Sequence, residues 1–173
     1  GYILYMGWND LFIYDPVIGR YTSLYIDDGT NWMCVNSISN NYNLVAIGCK
    51  TIRIQNLDTG AVVEYPAVAE QNIAGSAKFS PNDTLVAYSI ARGNPDDEYS
   101  QLLVAPADGS SSPMALDTLS KGYFGVLGWI DENTVLYTTS PGFSTGVDIW
   151  RIETDGSSEP FRIAEGVFVG FIY

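Results

Sequence analysis

The chain has 173 residues and a net charge of −12, from 20 acidic and 8 basic side chains. Its Lys and Arg residues form no cluster, which argues against binding of nucleic acid through phosphates, because that binding needs a basic footprint. The absence of histidine removes Ser-His-Asp and Cys-His catalysis and histidine-ligated metal sites from this chain. No run approaches the roughly 18 apolar residues of a membrane span, so we expect none.

The first 26 residues contain three short runs that are rich in β-branched and aromatic residues. They predict the strands Tyr2–Met6, Leu11–Asp15 and Tyr21–Tyr25. The chain opens on Gly1 rather than Met, which we interpret as a mature product or a piece of a longer protein.

Residues 31–66, 72–117 and 122–164 each predict four strands. The clearest hairpin is Ala77–Ile90, in which the turn Ser80–Asp83 joins an alternating strand to an apolar one, because Pro and the Asn-Asp pair suit tight turn positions. Each hairpin is followed by a third strand, a glycine turn and a fourth strand. The glycines of these turns are Gly19, Gly60, Gly109 and Gly156.

The four units repeat at a regular interval. Ile38, Phe79 and Trp129 end the first strands, and the matched positions Ile3, Leu44, Leu85 and Val135 are 41, 41 and 50 residues apart. A repeated four-stranded unit of this length is typical of a β-propeller blade, and a β-sandwich is the alternative. The sequence therefore predicts an all-β chain, a β-propeller with about four blades' worth of strands.

The last segment, Gly166–Tyr173, matches a first strand, which the first unit lacks. One interpretation is a single domain over 1–173, with blades 1–26 plus 166–173, 31–66, 72–117 and 122–164, in which the last strand completes the first blade. The others are an excerpt of a larger propeller and a dimer of half-rings. The first interpretation gives four blades, whereas the other two leave the total number of blades open.

The segments Phe79–Ser89 and Asp148–Ser158 resemble TolB-type, WD-like propeller repeats. The chain departs from the WD pattern, because Gln55-Asn56 stands where Trp-Asp is usual and no Gly-His pair exists. The resemblance implies a propeller fold and a periplasmic or extracellular location. It does not imply a particular activity.

The same resemblance implies a function as a non-catalytic scaffold or binding module for protein–protein or ligand interaction, with no cofactor. Similar repeats also form the propeller of prolyl-oligopeptidase-like serine hydrolases, so the alternative is the propeller portion of such an enzyme, whose catalytic domain is absent here. The chain itself has no nucleophile motif, and we expect it not to be an enzyme.

The loops between second and third strands vary most in length, and we expect the partner there, since loops carry function on rigid scaffolds. The candidate residues for a protein or sugar-like ligand are Trp8, Asp10, Asp97, Glu98, Tyr99 and Phe143. The alternatives are that Trp8 packs between blades and that the acidic loop is merely solvated. The spacing of the acidic residues does not fit a calcium loop, so no metal site is predicted.

The two cysteines, Cys34 and Cys49, flank the hairpin of the second unit. If its strands pair around Asn41, facing residues have numbers that sum to about 83, and the two cysteines face each other. Facing cysteines can approach bonding distance, so a disulfide is one interpretation and a pair of free thiols is the other.

Overall fold

A computed structural model describes residues 3–6, 11–24, 35–48, 51–66, 71–73, 77–92, 99–140 and 147–166. These residues form sixteen strands in four antiparallel sheets. No helix occurs in these ranges, so they contain none that is long and apolar enough to cross a membrane.

The first two sheets run in chain order. The first has the order β1-β2-β3, at Ile3–Met6, Leu11–Asp15 and Arg20–Leu24. The second has the order β4-β5-β6-β7, at Val35–Ile38, Leu44–Gly48, Thr51–Asn56 and Val62–Pro66. Consecutive strands are therefore hairpin partners throughout.

The innermost strand of the third sheet is in two pieces. Strands β8 (Gln71–Ile73) and β9 (Lys78–Phe79) both pair with β10 (Leu85–Arg92). The sheet continues with β11 (Tyr99–Pro106) and β12 (Met114–Leu119). The fourth sheet has the order β13-β14-β15-β16, at Tyr123–Trp129, Thr134–Ser140, Asp148–Glu153 and Phe161–Glu165.

Hydrophobic side chains join each sheet to the next. Ile13 of the first sheet packs with Val45 and Ile47 of the second. Further along, Tyr88 faces the second sheet, whereas Ala87 on the opposite face of β10 belongs to the cluster shared with the fourth sheet. The second strands β5, β10 and β14 are buried on both faces over most of their length, which explains why they are nearly continuous apolar runs.

The turns between first and second strands share one design in the second and third sheets. The buried Ser39 and Ser80 hydroxyls accept from the N–H groups of Leu44 and Leu85, at 2.9 and 3.0 Å. Asp83 closes its turn at φ 60°, a left-handed conformation that Asp tolerates better than most residues. The Ser80–Asp83 turn predicted from the sequence is confirmed.

The observed register corrects one part of the repeat. Ile38, Phe79 and Trp129 pair with Val45, Val86 and Val135, so the first-strand matches are confirmed. The sequence had indicated that Leu44 and Leu85 are equivalent to Val135. The register shows that this match was wrong. The Ile130 N–H donates to the Thr134 carbonyl, four residues later in the chain. The equivalent hydrogen bonds in the second and third sheets span five residues, so this turn of the fourth sheet is one residue shorter.

The first sheet shows the same one-residue offset. Ile3 pairs with Tyr14, one residue before Asp15, which starts its turn as Asn56 starts the corresponding one. Ile3 thus corresponds to Val45 rather than to Leu44. The matched positions of the second strands are therefore the fully buried Val45, Val86 and Val135, and not the half-buried Leu44 and Leu85.

Some predicted strand bounds were too short. The segment Ala91–Ser100, interpreted as a loop, contributes two residues to β10 and two to β11. The fourth strand of the third sheet, predicted at Pro113–Leu116, begins one residue later and ends three residues later, at Met114–Leu119. Residues 167–173 lie outside the described residues, so completion of the first blade by the last strand stays a prediction.

The hairpin register of the second sheet supports a test of the cysteines. All four described pairs of β4 and β5 have numbers that sum to 83, as predicted. Cys34 and Cys49, one residue further on each strand, lie outside the described residues. We expect them to form a disulfide, so that native oxidised protein shows no free thiol on titration and Cys34→Ser lowers the free energy of unfolding by about 3 kcal/mol.

The control is Cys49→Ser, which should cost as much as Cys34→Ser, since either change removes the same bond. Two reactive thiols in the oxidised protein would contradict the pairing.

Candidate functional site

A cavity of about 970 Å³ lies where the innermost strands end. Its walls come from the last residues of β4, β9 and β13 and from the turns that follow them. The lining residues are Ser37, Ile38, Asn40, Lys78, Phe79, Pro81, Leu127, Gly128, Trp129, Ile130, Asp131 and Glu132. The volume is within the range of ligand clefts.

The apolar wall of this cavity is held rigid across two sheets. The Trp129 indole N–H donates to the Lys78 carbonyl at 2.9 Å, and both Trp129 and Phe79 are more than nine-tenths buried. The tryptophan therefore fixes the spacing between the third and fourth sheets while it presents its edge to the cavity. An aromatic surface of this kind suits an apolar or planar group on a ligand.

The polar side of the cavity carries charge. Asp131 and Glu132 are exposed in the turn after β13, and the half-buried Lys78 lines the same cavity. The N–H of Asn133 donates to Asp131 at 2.8 Å and, with the Thr134 hydroxyl, holds the pKa of Asp131 below its usual range. Because its pKa is lowered, Asp131 is ionised at neutral pH.

More carboxylates lie at the same end of the strands. We call this end the tight-turn face, and it consists of the turns between first and second strands and between third and fourth strands. The two sets of turns are hydrogen-bonded together, as by Ala107 N–H to the Thr84 carbonyl. Bonds from Ser110 and Ser157 lower the pKa of Asp108 and Asp155 in these turns. The face is negatively charged at neutral pH.

Asp83 joins the turns of the second and third sheets. Its carboxylate accepts from the Asn40 N–H at 2.7 Å, the Asn40 side-chain amide at 3.0 Å and the Asn41 N–H at 2.9 Å. It lies between the large cavity, which Asn40 lines, and a second cavity of about 390 Å³ between these two sheets. With only 8% of Asp83 exposed, these charge-assisted bonds fix the rim of both cavities.

Two tyrosines bridge neighbouring sheets away from the cavity. The Tyr137 hydroxyl donates to the Asp117 carboxylate at 2.8 Å, and the Tyr65 hydroxyl donates to the Pro106 carbonyl. Burial raises the pKa of both phenols, which therefore remain protonated donors. These bonds serve the packing of sheets rather than chemistry.

The predicted site residues are mostly outside the described part of the chain, namely Trp8, Asp10, Asp97, Glu98 and Phe143. Tyr99 is described, and it is the half-buried first residue of β11, paired with Arg92. Their role in binding stays a prediction. Within the described residues no group of three or more acidic or cysteine side chains is placed to hold a metal ion.

Sequence reasoning missed Lys78, Trp129 and Asp131 as members of one cavity. The signal was present, since Lys78 and Trp129 lie at the ends of matched first strands and Asp131 lies in the turn that follows. The prediction relied instead on the varying length of the loops between second and third strands, which carry aromatic and acidic residues.

No protein-family model matches the sequence, and a search of curated proteins gives no significant match. Solved structures do match. An oligogalacturonate lyase from Vibrio parahaemolyticus superposes with a TM-score of 0.58 at 9% identity, covering 90% of this chain and 59% of that one. The tricorn protease gives a TM-score of 0.63 at 14% identity, covering 88% and 16%.

Both neighbours are β-propeller proteins, so the four sheets are blades of a propeller and the predicted fold class is confirmed. The chain spans 59% and 16% of their lengths. In a complete propeller the first strands line a central channel, and the large cavity lies at the ends of these strands.

Replacing Asp83 tests the rim of the cavities. We expect Asp83→Ala to lower the free energy of unfolding by about 2–3 kcal/mol, because it leaves partly buried N–H groups of Asn40 and Asn41 without their acceptor. Urea unfolding measures this. Asp58→Ala, at an exposed turn position, is the control and should change stability by less than about 0.5 kcal/mol. Equal losses in both variants would contradict a role for Asp83 between the blades.

Proposed function

We propose that this chain is a non-catalytic binding module that takes a positively charged protein segment at the tight-turn mouth of its channel. The cavity of about 970 Å³ carries the proposal, because it combines an aromatic wall with the side chains of Asp131 and Glu132. The ligand's basic groups would meet Asp131 and Glu132, and its apolar groups would meet the wall at Phe79 and Trp129.

The charge of the chain supports a cationic ligand. A net charge of −12 attracts basic partners at a distance and repels anionic ones. A sugar-like ligand is compatible with the cavity only if it is neutral or cationic. For the same reason we do not transfer to this chain the oligogalacturonate that names one structural neighbour.

We also propose that the blades belong to the TolB-type, WD-like group and that the protein acts outside the cytoplasm. The turn Ser80–Asp83 and the Asp155-Gly156 turn support the first point. The predicted pairing of Cys34 with Cys49 supports the second, since disulfides persist in oxidising compartments.

A second candidate is the propeller portion of a larger enzyme. The observation that favours it is coverage, because both structural neighbours are longer than the part this chain matches, and both are named as enzymes. In that case the cavity would bind or admit a substrate for a catalytic domain beyond the sequence analysed.

Peptides selected from a phage-displayed random library test the binding function. We expect peptides rich in Lys or Arg with an apolar residue, and about tenfold weaker binding to Asp131→Asn/Glu132→Gln, by fluorescence anisotropy. The matched variant Asp97→Asn/Glu98→Gln removes the same charge from the loop between the second and third strands of the third blade. It should bind like the wild type. The opposite pattern would place the site on the long loops, and failure to select any binder would refute the binding function.

The pH dependence of this binding follows from the carboxylates. The pKa of Asp131 is lowered, so its charge is present above the ordinary aspartate value of about 4 and is lost only as pH falls through that lower pKa. Affinity for the basic peptides should therefore stay constant from about pH 8 to about pH 5. A loss of affinity already between these values would show that another group controls binding.

Purified chain should hydrolyse no peptide or ester substrate, because it has neither histidine nor a nucleophile motif. Chromogenic peptide and ester assays measure this. Turnover that one point substitution in this chain abolishes would refute the non-catalytic function.

A further inference from the structure

The tip of the β2–β3 hairpin is the most exposed apolar part of the described chain. Val17 is 85% exposed and Ile18 67% exposed, and Tyr21 beside them is 66% exposed. Tyr21 packs against Tyr14, its partner across the two strands, with ring centroids 4.6 Å apart, so the strands are held together next to the tip. Grouped exposed apolar residues of this kind mark interaction surfaces.

The same turn is polar in the second blade. In the second blade Asp58-Thr59 precedes Gly60, as Val17-Ile18 precedes Gly19, and both glycines have a left-handed φ, of 72° and 67°. The turn backbones are also capped alike, since Asp15 accepts from Val17 N–H and Asn56 from Asp58 N–H. Asp108 and Asp155 occupy the turns of the third and fourth blades.

The apolar side chains are therefore not needed to build the turn. The second-blade turn has the same length and folds with Asp58-Thr59, and the Gly19 position and the Asp15 cap already fix the backbone. Val17 and Ile18 are exposed to water in the described structure. Apolar side chains in such a position become stabilising when a partner covers them.

We propose that Val17 and Ile18 are an anchor for a protein partner that binds the tight-turn face. This inference rests on the proposed function and specifies the partner. The partner is a protein with an apolar pocket for the protruding tip and basic residues for the carboxylates of the tight-turn face, because the exposed Asp58 occupies the corresponding turn of the adjacent blade.

This geometry makes the anchor convex and the channel mouth concave. A small sugar can occupy the cavity but cannot cover a hairpin tip in a different blade at the same time. A folded protein or a long peptide can contact both, and two linked contacts bind more tightly than either alone.

The double variant Val17→Asp/Ile18→Thr tests the anchor, because it gives the first blade the Asp-Thr-Gly turn of the second. Its circular dichroism and unfolding midpoint should match those of the wild type. A second phage library, of folded helical mini-proteins, is selected on the wild type. The selected binders should bind the variant about tenfold or more weakly. The reciprocal variant Asp58→Val/Thr59→Ile should not strengthen binding.

The outcomes separate the two proposals. If Asp131→Asn/Glu132→Gln weakens the mini-proteins and Val17→Asp/Ile18→Thr does not, the anchor is refuted while the proposed function stands. If neither variant weakens them, both are refuted. Weakening by both variants supports a protein partner that spans the channel mouth and the hairpin tip.

Discussion

Stacking of one blade's apolar face on the next is the constraint on which the rest of the structure depends. A four-stranded sheet cannot bury two faces by itself, so each second strand must be apolar on both sides, as Val86 and Ala87 are. Polar and charged residues are thereby confined to strand ends and turns. The charged side chains of Lys78, Asp131 and Glu132 accordingly line the cavity at the ends of the first strands.

The architecture could be predicted from the sequence because its signals are local. The Ser80–Asp83 turn, the glycine turns and the alternation of apolar runs each involve a few adjacent residues, and the hairpin register at β4 and β5 followed from them. What failed was counting across a turn. The fourth blade's turn is one residue shorter, and no propensity distinguishes Thr134 from Val135 as the position that matches Leu85.

The candidate site was harder to predict because it joins residues that are far apart in the chain. Asn40 and Asp83 are 43 residues apart, and Trp129 reaches the Lys78 carbonyl across 51. Each residue is ordinary where it stands in the sequence. Only the stacking of blades brings them together, and local composition carries no signal of that packing.

The Asp83 contact also makes the join between the second and third blades depend on their order in the chain. Its carboxylate needs two successive backbone N–H groups in the preceding turn, and Asn40 and Asn41 supply them. The third blade holds Pro81 at the position of Asn40, and proline has no N–H to offer a following carboxylate. A gene duplication of this blade would thus give two neighbours that could not join in the same way. The repeats are similar in outline but not interchangeable, which guards a folding chain against pairing its blades in the wrong order.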